Sequence, residues 1–356
     1  MISLYIVSTE SFSGKTSLCY GLAARFQRAG LRVGYFKPLA LYGEQRERQA
    51  TSEDAVFMRR VCNLQENPEV LAPVVLNSQA LEQAAEGREN DYAARIDAAF
   101  AAASHNKDVV VVEGAATLVE GMLLDLGPHR IADRLNARVL VVTKYGNELV
   151  ADGLLAAQAQ FGARLIGAVV NQVPPLRLEF VTRSVVPFLA ARGIPVLATL
   201  PQDRLLLSLS VNEIAEILGG EILNSPERGG ELVEHIMVGA MSADSALSYF
   251  RRKPNKVVIT GGDRADIELA ALETSTRCLV LTGNLRPNAL ILGRAEELGV
   301  PLILARQDTL SAVEIIQQYF GKLRLHQPGK VERLTQLLDE RLDFARLCAS
   351  LGLEVG

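Results

Sequence analysis

Short runs of Val, Leu and Ile alternate with longer amphipathic stretches from the amino terminus to about residue 205. The apolar runs lie at residues 4–7, 33–36, 109–112, 139–142, 165–170 and 196–197. Near-continuous apolar runs suit strands covered on both faces, and the segments between them are long enough for crossover helices. The pattern therefore predicts an α/β fold, a parallel sheet flanked by helices, with ligands collecting at the carboxyl ends of the strands. A second, more closely spaced series begins near Val211 with a helical stretch. Runs at 236–238, 257–259, 278–281 and 302–304 follow, with a helix through Tyr249 after the first of them. It predicts a smaller α/β unit, with Gly219-Gly220 and the polar residues 224–230 supplying loop chemistry near its start. After Pro328-Gly329, Val331, Leu334, Leu338, Leu342 and Ala345 recur at steps of three and four, which predicts one helix over 330–351. Packing on the second unit is the expected use of that stripe; an oligomer seam or a dock for another protein is the alternative.

Composition narrows the function classes. At 356 residues the chain suits two domains, and 49% hydrophobic with 22% charged residues describes a globular protein. It has no run of eighteen apolar residues and no basic-then-apolar leader, so the expectation is a cytoplasmic protein without a membrane span. A formal net charge of −4 without a basic cluster argues against nucleic acid, which needs concentrated Lys and Arg. Cys19, Cys62, Cys278 and Cys348 lie far apart and read as buried, without a zinc or disulfide spacing; the four histidines are equally dispersed.

The chemistry concentrates in the first unit. Ser8-Thr9-Glu10-Ser11-Phe12-Ser13-Gly14-Lys15-Thr16-Ser17 follows the first apolar run and opens a helix. Gly14 lets the backbone approach a phosphate, Lys15 can reach terminal phosphate oxygens, Thr16 can hold magnesium, and the helix directs its positive end at the anion. The usual first glycine falls on Thr9 or Ser8, so only the Gly-Lys-Thr half of a phosphate loop is intact. Glu10, Ser13, Gly14, Lys15, Thr16 and Ser17 are the candidate nucleotide contacts in this loop. Glu113 ends a four-valine run, where a buried carboxylate needs a partner such as magnesium, unless it is a solvated loop residue. Lys37 ends another strand and is a candidate for a second phosphate or an acyl group, or a surface lysine. Asp54, in Thr51-Ser52-Glu53-Asp54, is a metal ligand or a helix-end charge. Asn171 can offer its amide to adenine or form a turn, and Pro201 ends the last strand where the base would sit. In the second unit Gly261-Gly262-Asp263-Arg264 is either an anion pocket or a glycine-shaped turn with Asp263 capping the next helix and Arg264 in solvent.

Residues 10–16, Phe36-Lys37-Pro38, residues 52–55, Val112-Glu113-Gly114 and Val170-Asn171 occur in the order found in dethiobiotin synthetase, which the first domain resembles. That resemblance implies Lys15 and Lys37 on phosphate, Thr16, Asp54 and Glu113 around Mg2+, Asn171 on adenine, and ATP as the nucleotide. Glu10 stands where the partitioning ATPases carry a signature lysine, and no glutaminase domain of a cobyrinic acid amide synthase is recognisable. Leu39-Ala40-Leu41-Tyr42 and Ala115-Ala116 depart from the acyl-substrate side of dethiobiotin synthetase.

Over nearly its whole length the chain resembles the amino-terminal part of the long bacterial phosphotransacetylases, a dethiobiotin-synthetase-like domain followed by a DRTGG domain. Residues 201–206, 238–243, 260–264 and 281–284 carry the second half of that likeness. The implied domains are 1–207, 208–325 and a terminal helix at 326–356. The chain ends at Gly356, where the acetyl-transferring domain would follow, so phosphotransacetylase activity is not expected of it. Three functions remain. One is an ATP- and magnesium-binding regulator whose DRTGG-like domain senses a small metabolite or mediates a homodimer. The second is an ATP-dependent ligase acting on a small carboxylate or carbamate, with Lys15 and Lys37 stabilising the transferred phosphoryl group. The third is a scaffold whose terminal helix docks a separate acetyltransferase.

Overall fold

A computed structural model describes residues 1–41, 52–88, 90–146, 150–319 and 327–354. Thr51 and Tyr42 of the motifs above, and the expected boundary at 325–326, lie outside the described residues. The chain forms two compact units, Met1–Gln202 with Leu325–Gly356, and Asp203–Arg324.

In the first unit six strands form one sheet in the order Val33–Phe36, Val109–Glu113, Ile2–Ser8, Arg138–Lys144, Leu165–Val173 and Val196–Pro201. Every neighbouring pair is parallel. All six expected runs are strands, and Val109 to Val112 have no solvent exposure because helices cover both faces. The strand order reverses at Ile2–Ser8, the place where ligands collect in open α/β sheets. From there the chain turns into helix Lys15–Arg28, which buries Leu18, Cys19, Leu22, Ala23 and Phe26. Two short strands, Leu39–Leu41 and Val74–Leu76, pair beside the sheet. Their three-residue length left no readable period in the sequence.

The tail departs from expectation in two ways. It is two helices, Pro328–Arg341 and Phe344–Leu351, broken where Leu342 adopts an extended backbone and Asp343 starts the second by accepting from the Arg346 amide. It belongs to the first unit, where the expectation placed it on the second. Leu338 lies against Gly21 of the loop helix, where an added Cβ would come within 2.0 Å of its Cδ1. Asp339 accepts from Arg25 and Arg28, Phe26 packs on Phe344 at 5.3 Å, and the Asp343 amide donates to Leu197. Arg25 and Arg28 stand in the last turn of the loop helix, where its dipole already favours cations, so Asp339 completes a local charge cluster.

The second unit has a five-stranded sheet in the order Glu221–Ile222, Leu302–Leu304, Thr276–Thr282, Lys256–Gly261 and His235–Val238. The first is an antiparallel edge that the sequence pattern missed, and the other four are parallel. Ser210 and Glu213 form a capping box that opens helix Val211–Leu218. All four cysteines are free and buried, as their dispersion predicts. Among the described residues no helix is long and apolar enough to cross a membrane.

Leu338 is 1% exposed, and truncating a side chain so enclosed leaves a cavity. The Leu338→Ala variant is expected to lose about 2–5 kcal/mol of stability, measured as a lower denaturant midpoint at unchanged slope.

Candidate functional site

Strand register builds the site. Tyr35 pairs with Val111 and Phe36 with Val112, so side chains two residues further along each strand, Lys37 and Glu113, share one sheet face with Tyr35. Glu113 is 1% exposed and surrounded by donors. Its Oε1 accepts from Thr16 Oγ1 at 2.8 Å and Lys37 Nζ at 3.1 Å, and its Oε2 accepts from the Tyr35 hydroxyl at 2.8 Å. Lys37 Nζ also donates to Asp54 Oδ2. Asp54 lies in the first turn of helix Glu53–Val61. The structure thus brings Thr16, Lys37, Asp54 and Glu113 together.

Burial would lower the Lys37 pKa, but the Glu113 and Asp54 carboxylates outweigh it and hold the ammonium well above its ordinary value. For Lys15 the balance is reversed: burial lowers its pKa more than Glu113 raises it. The Tyr35 phenol is pushed far up by burial and then by Glu113, so it remains a hydrogen-bond donor.

The loop itself is held at several points. Gly14 takes φ +94°, and a Cβ there would meet Asn171 Nδ2 at 2.4 Å, so both conformation and space demand glycine. Asn171 Nδ2 donates to the Ser13 carbonyl at 2.8 Å, and its Oδ1 accepts from the Gln172 amide. Those bonds use one of its two N–H groups and one acceptor site. Glu10 Oε2 accepts from Thr9 Oγ1, and its Oε1 accepts from the Lys144 amide, which ties the loop to the neighbouring strand. Lys15 Nζ donates to Ser8 Oγ at 2.5 Å and to the Ala116 carbonyl at 3.3 Å. Ser17 is buried in the first turn of the helix. Pro201 pairs with Val173, so it ends the strand beside the one carrying Asn171. Phe12, exposed at the loop tip, has φ 58°, a conformation costly for a bulky residue.

Two observations bear on what fits here. Ser13 Oγ is buried and has no hydrogen-bond partner among the described residues, at a loop whose next residue opens a helix. A phosphate oxygen is an acceptor that would satisfy such a hydroxyl at a helix start. The oxygens of Thr16, Glu113 and Asp54 are hard donors of the kind magnesium takes. Among the described residues no three His, Cys, Asp or Glu side chains converge as a metal cage.

Tyr35 was not legible as a site residue because it reads as one more member of an apolar strand. Its signal is a lone hydroxyl two residues before Lys37, hence on the same face.

In the second unit, Gly262 lies against the Leu285 carbonyl, which a Cβ would approach to 1.9 Å. Arg264 does not extend freely into solvent: it binds both Asp266 oxygens and the Met241 carbonyl. The N-cap position of helix Ala265–Leu272 is taken by Arg264, whose side chain makes no cap bond, and Asp263 stands one residue before it. Glu268 in that helix has no exposure and, among the described residues, no partner for either oxygen. Burial, then Asp263 and Asp266, pushes its pKa up from 4.5 to about 7.

A family model described as an AAA domain matches residues 3–208, more than half of the chain, and one described as a DRTGG domain matches residues 213–319. The phosphate acetyltransferase of Pseudomonas putida is 25% identical, over 99% of this chain and 52% of its own length. That of Deinococcus radiodurans is 26% identical, over 99% and 51%. The chain spans about half the length of the curated relatives it matches. Among solved structures, the CBS and DRTGG domains of the regulatory region of Clostridium perfringens pyrophosphatase, with the activator diadenosine tetraphosphate, align at 23% identity and a TM-score of 0.30. That match covers 42% of this chain and 73% of the other.

Glu268 keeps its proton in the folded chain to higher pH than in the unfolded one, so folding stability falls as pH rises from 4.5 to about 7 and levels off above it. In Glu268→Gln that component of the slope is expected to vanish. Melting midpoints of the two proteins should agree near pH 4.5 and diverge in favour of the variant by pH 8.

Proposed function

The chain belongs to the AAA-domain family, and from that membership and the geometry of its loop we propose that it binds ATP with magnesium and acts as a metabolic regulator or sensor. The observation that carries this reading is the loop at the sheet's reversal point, where a buried Ser13 hydroxyl without a partner among the described residues, the Gly14 helix start and Lys15 follow one another. In this reading Lys15 exchanges Ser8 and Ala116 for terminal phosphate oxygens, and Ser13, Gly14 and Ser17 cradle the chain of phosphates. Thr16, Glu113 and Asp54 are the residues that would hold magnesium, which neutralises phosphate charge when bound. Glu10 fixes the loop to the Lys144 strand. Asn171 braces the Ser13 carbonyl and, with Pro201, borders the adenine.

Regulation is favoured over phosphoryl transfer because the loop domain is followed by a DRTGG domain, a module suited to sensing rather than to chemistry. The phosphate acetyltransferase activity of the relatives belongs to proteins about twice as long and is not assigned to these residues. The DRTGG domain is proposed to sense a small metabolite or to form the homodimer contact. In a scaffold role the terminal helices would also meet a separate partner, but much of their apolar stripe is already covered by the first unit.

Titration calorimetry with ATP and magnesium tests the reading. Lys15→Ala should lose roughly 1.5–3 kcal/mol of affinity, one charge-assisted contact, with its fold intact by circular dichroism; equal affinity in the two proteins contradicts it. Gly14→Ala should weaken binding as well, since its Cβ displaces the Asn171 amide. A steady release of phosphate from the wild type that depends on one added acid would favour the ligase reading instead.

A further inference from the structure

A lysine stands between the two carboxylates proposed for magnesium. Lys37 Nζ donates to Asp54 Oδ2 and, at 3.1 Å, to Glu113 Oε1, the oxygen that also accepts from Thr16. Its side chain is 12% exposed, and its main chain is fixed by the amide's bond to the Leu71 carbonyl at 2.7 Å. Magnesium takes oxygens at about 2.0–2.1 Å and retains a water shell, so it and an ammonium cannot share the same two carboxylate oxygens.

We infer that the Lys37 ammonium is the protein's own cation for the Asp54–Glu113 pair, so that a divalent metal enters this pair only when Lys37 is drawn away by a phosphate group. The inference rests on the proposed nucleotide reading for the identity of that phosphate.

Charge accounting supports the exchange. A buried carboxylate beside a second one needs a cation at all times, and Lys37 supplies it. Lys15 is bonded to Ser8 Oγ and the Ala116 carbonyl instead of to either carboxylate. When an anionic phosphate competes for Lys37, the vacated pair carries two negative charges and attracts a divalent ion. Tyr35 and Thr16 hold Glu113 from both oxygens, so the carboxylate keeps its orientation while the cation changes. Metal binding and phosphate binding are thereby coupled through one side chain, in addition to any direct metal–phosphate bond.

Manganese, followed by electron paramagnetic resonance on the full chain, reads this directly. Wild type should bind no site-specific manganese alone and one ion in the presence of a non-hydrolysable ATP analogue. Lys37→Met, similar in length without the charge, should bind manganese without nucleotide about tenfold or more tightly than wild type, because site charge sets divalent affinity. Adding Glu113→Gln to that variant should abolish the gain. Melting supplies a second readout: Lys37→Met in chelator should melt below wild type, and manganese should restore it. Lys37→Gln repeats the test should the methionine variant not fold.

Absence of any gain in the folded variants overturns the inference, as does a gain that survives Glu113→Gln. Tight manganese binding by the wild type without nucleotide overturns it independently of any variant. Failure of the analogue to bind wild type, with the variant still gaining manganese, would instead refute the nucleotide reading and leave the lysine exchange standing.

Discussion

Removing a carboxylate from water costs several kcal/mol unless charge and hydrogen bonds replace the solvent. Glu113 meets that demand at the end of a fully buried strand. Its two oxygens take hydrogen bonds from the loop helix through Thr16 and from the neighbouring strand through Tyr35, and Lys37 links it to the Asp54 helix. Three separate stretches of chain are therefore held in register by one side chain. The phosphate loop cannot shift its first helical turn without disturbing Thr16, and Thr16 cannot move without exposing an acceptor of Glu113. Packing of the sheet and electrostatics of the site are the same problem solved at the same residue.

Much of this was readable without coordinates because it depends on local pattern. Gly14-Lys15-Thr16 after an apolar run and before a helical one identifies a loop at a strand's carboxyl end, and four consecutive valines identify a strand buried on both faces. The acid at the end of those valines had to find a partner, and it did. What escaped depends on register and on distant segments. Tyr35 is indistinguishable from a core aromatic until its strand is paired with the valine strand. Lys37 reads as a strand-end cation, while its engagement by two carboxylates follows only from the placement of helix Glu53–Val61. In the tail the apolar period continues through Leu342, but Asp343 binds the Leu197 carbonyl through its amide and restarts the helix, which no periodicity reports. Glu268 looks like an ordinary first-turn acid, favourable to a helix dipole, and its complete burial is a tertiary property.

The loop without its leading glycine is less anomalous in the structure than in the sequence. The left-handed backbone it needs is taken by Gly14 and, at the tip, by Phe12. The role of a tight turn is shared by side chains: Glu10 fastens the loop to the Lys144 amide, and Asn171 fastens Ser13. Side-chain bracing has replaced backbone freedom, and the buried Ser13 hydroxyl is left without a partner among the described residues. In the second unit the glycines serve a different end, since Gly262 admits a close carbonyl and Arg264 is bound within its own turn.

The most direct test of the account is a crystal structure of the protein with a non-hydrolysable ATP analogue and magnesium. The account predicts that Lys15 Nζ leaves Ser8 Oγ and the Ala116 carbonyl for the terminal phosphate, that Ser13 Oγ gains a phosphate oxygen, and that Thr16 and Glu113 lie beside the metal. An analogue bound elsewhere, with Lys15 still donating to Ser8, would contradict it.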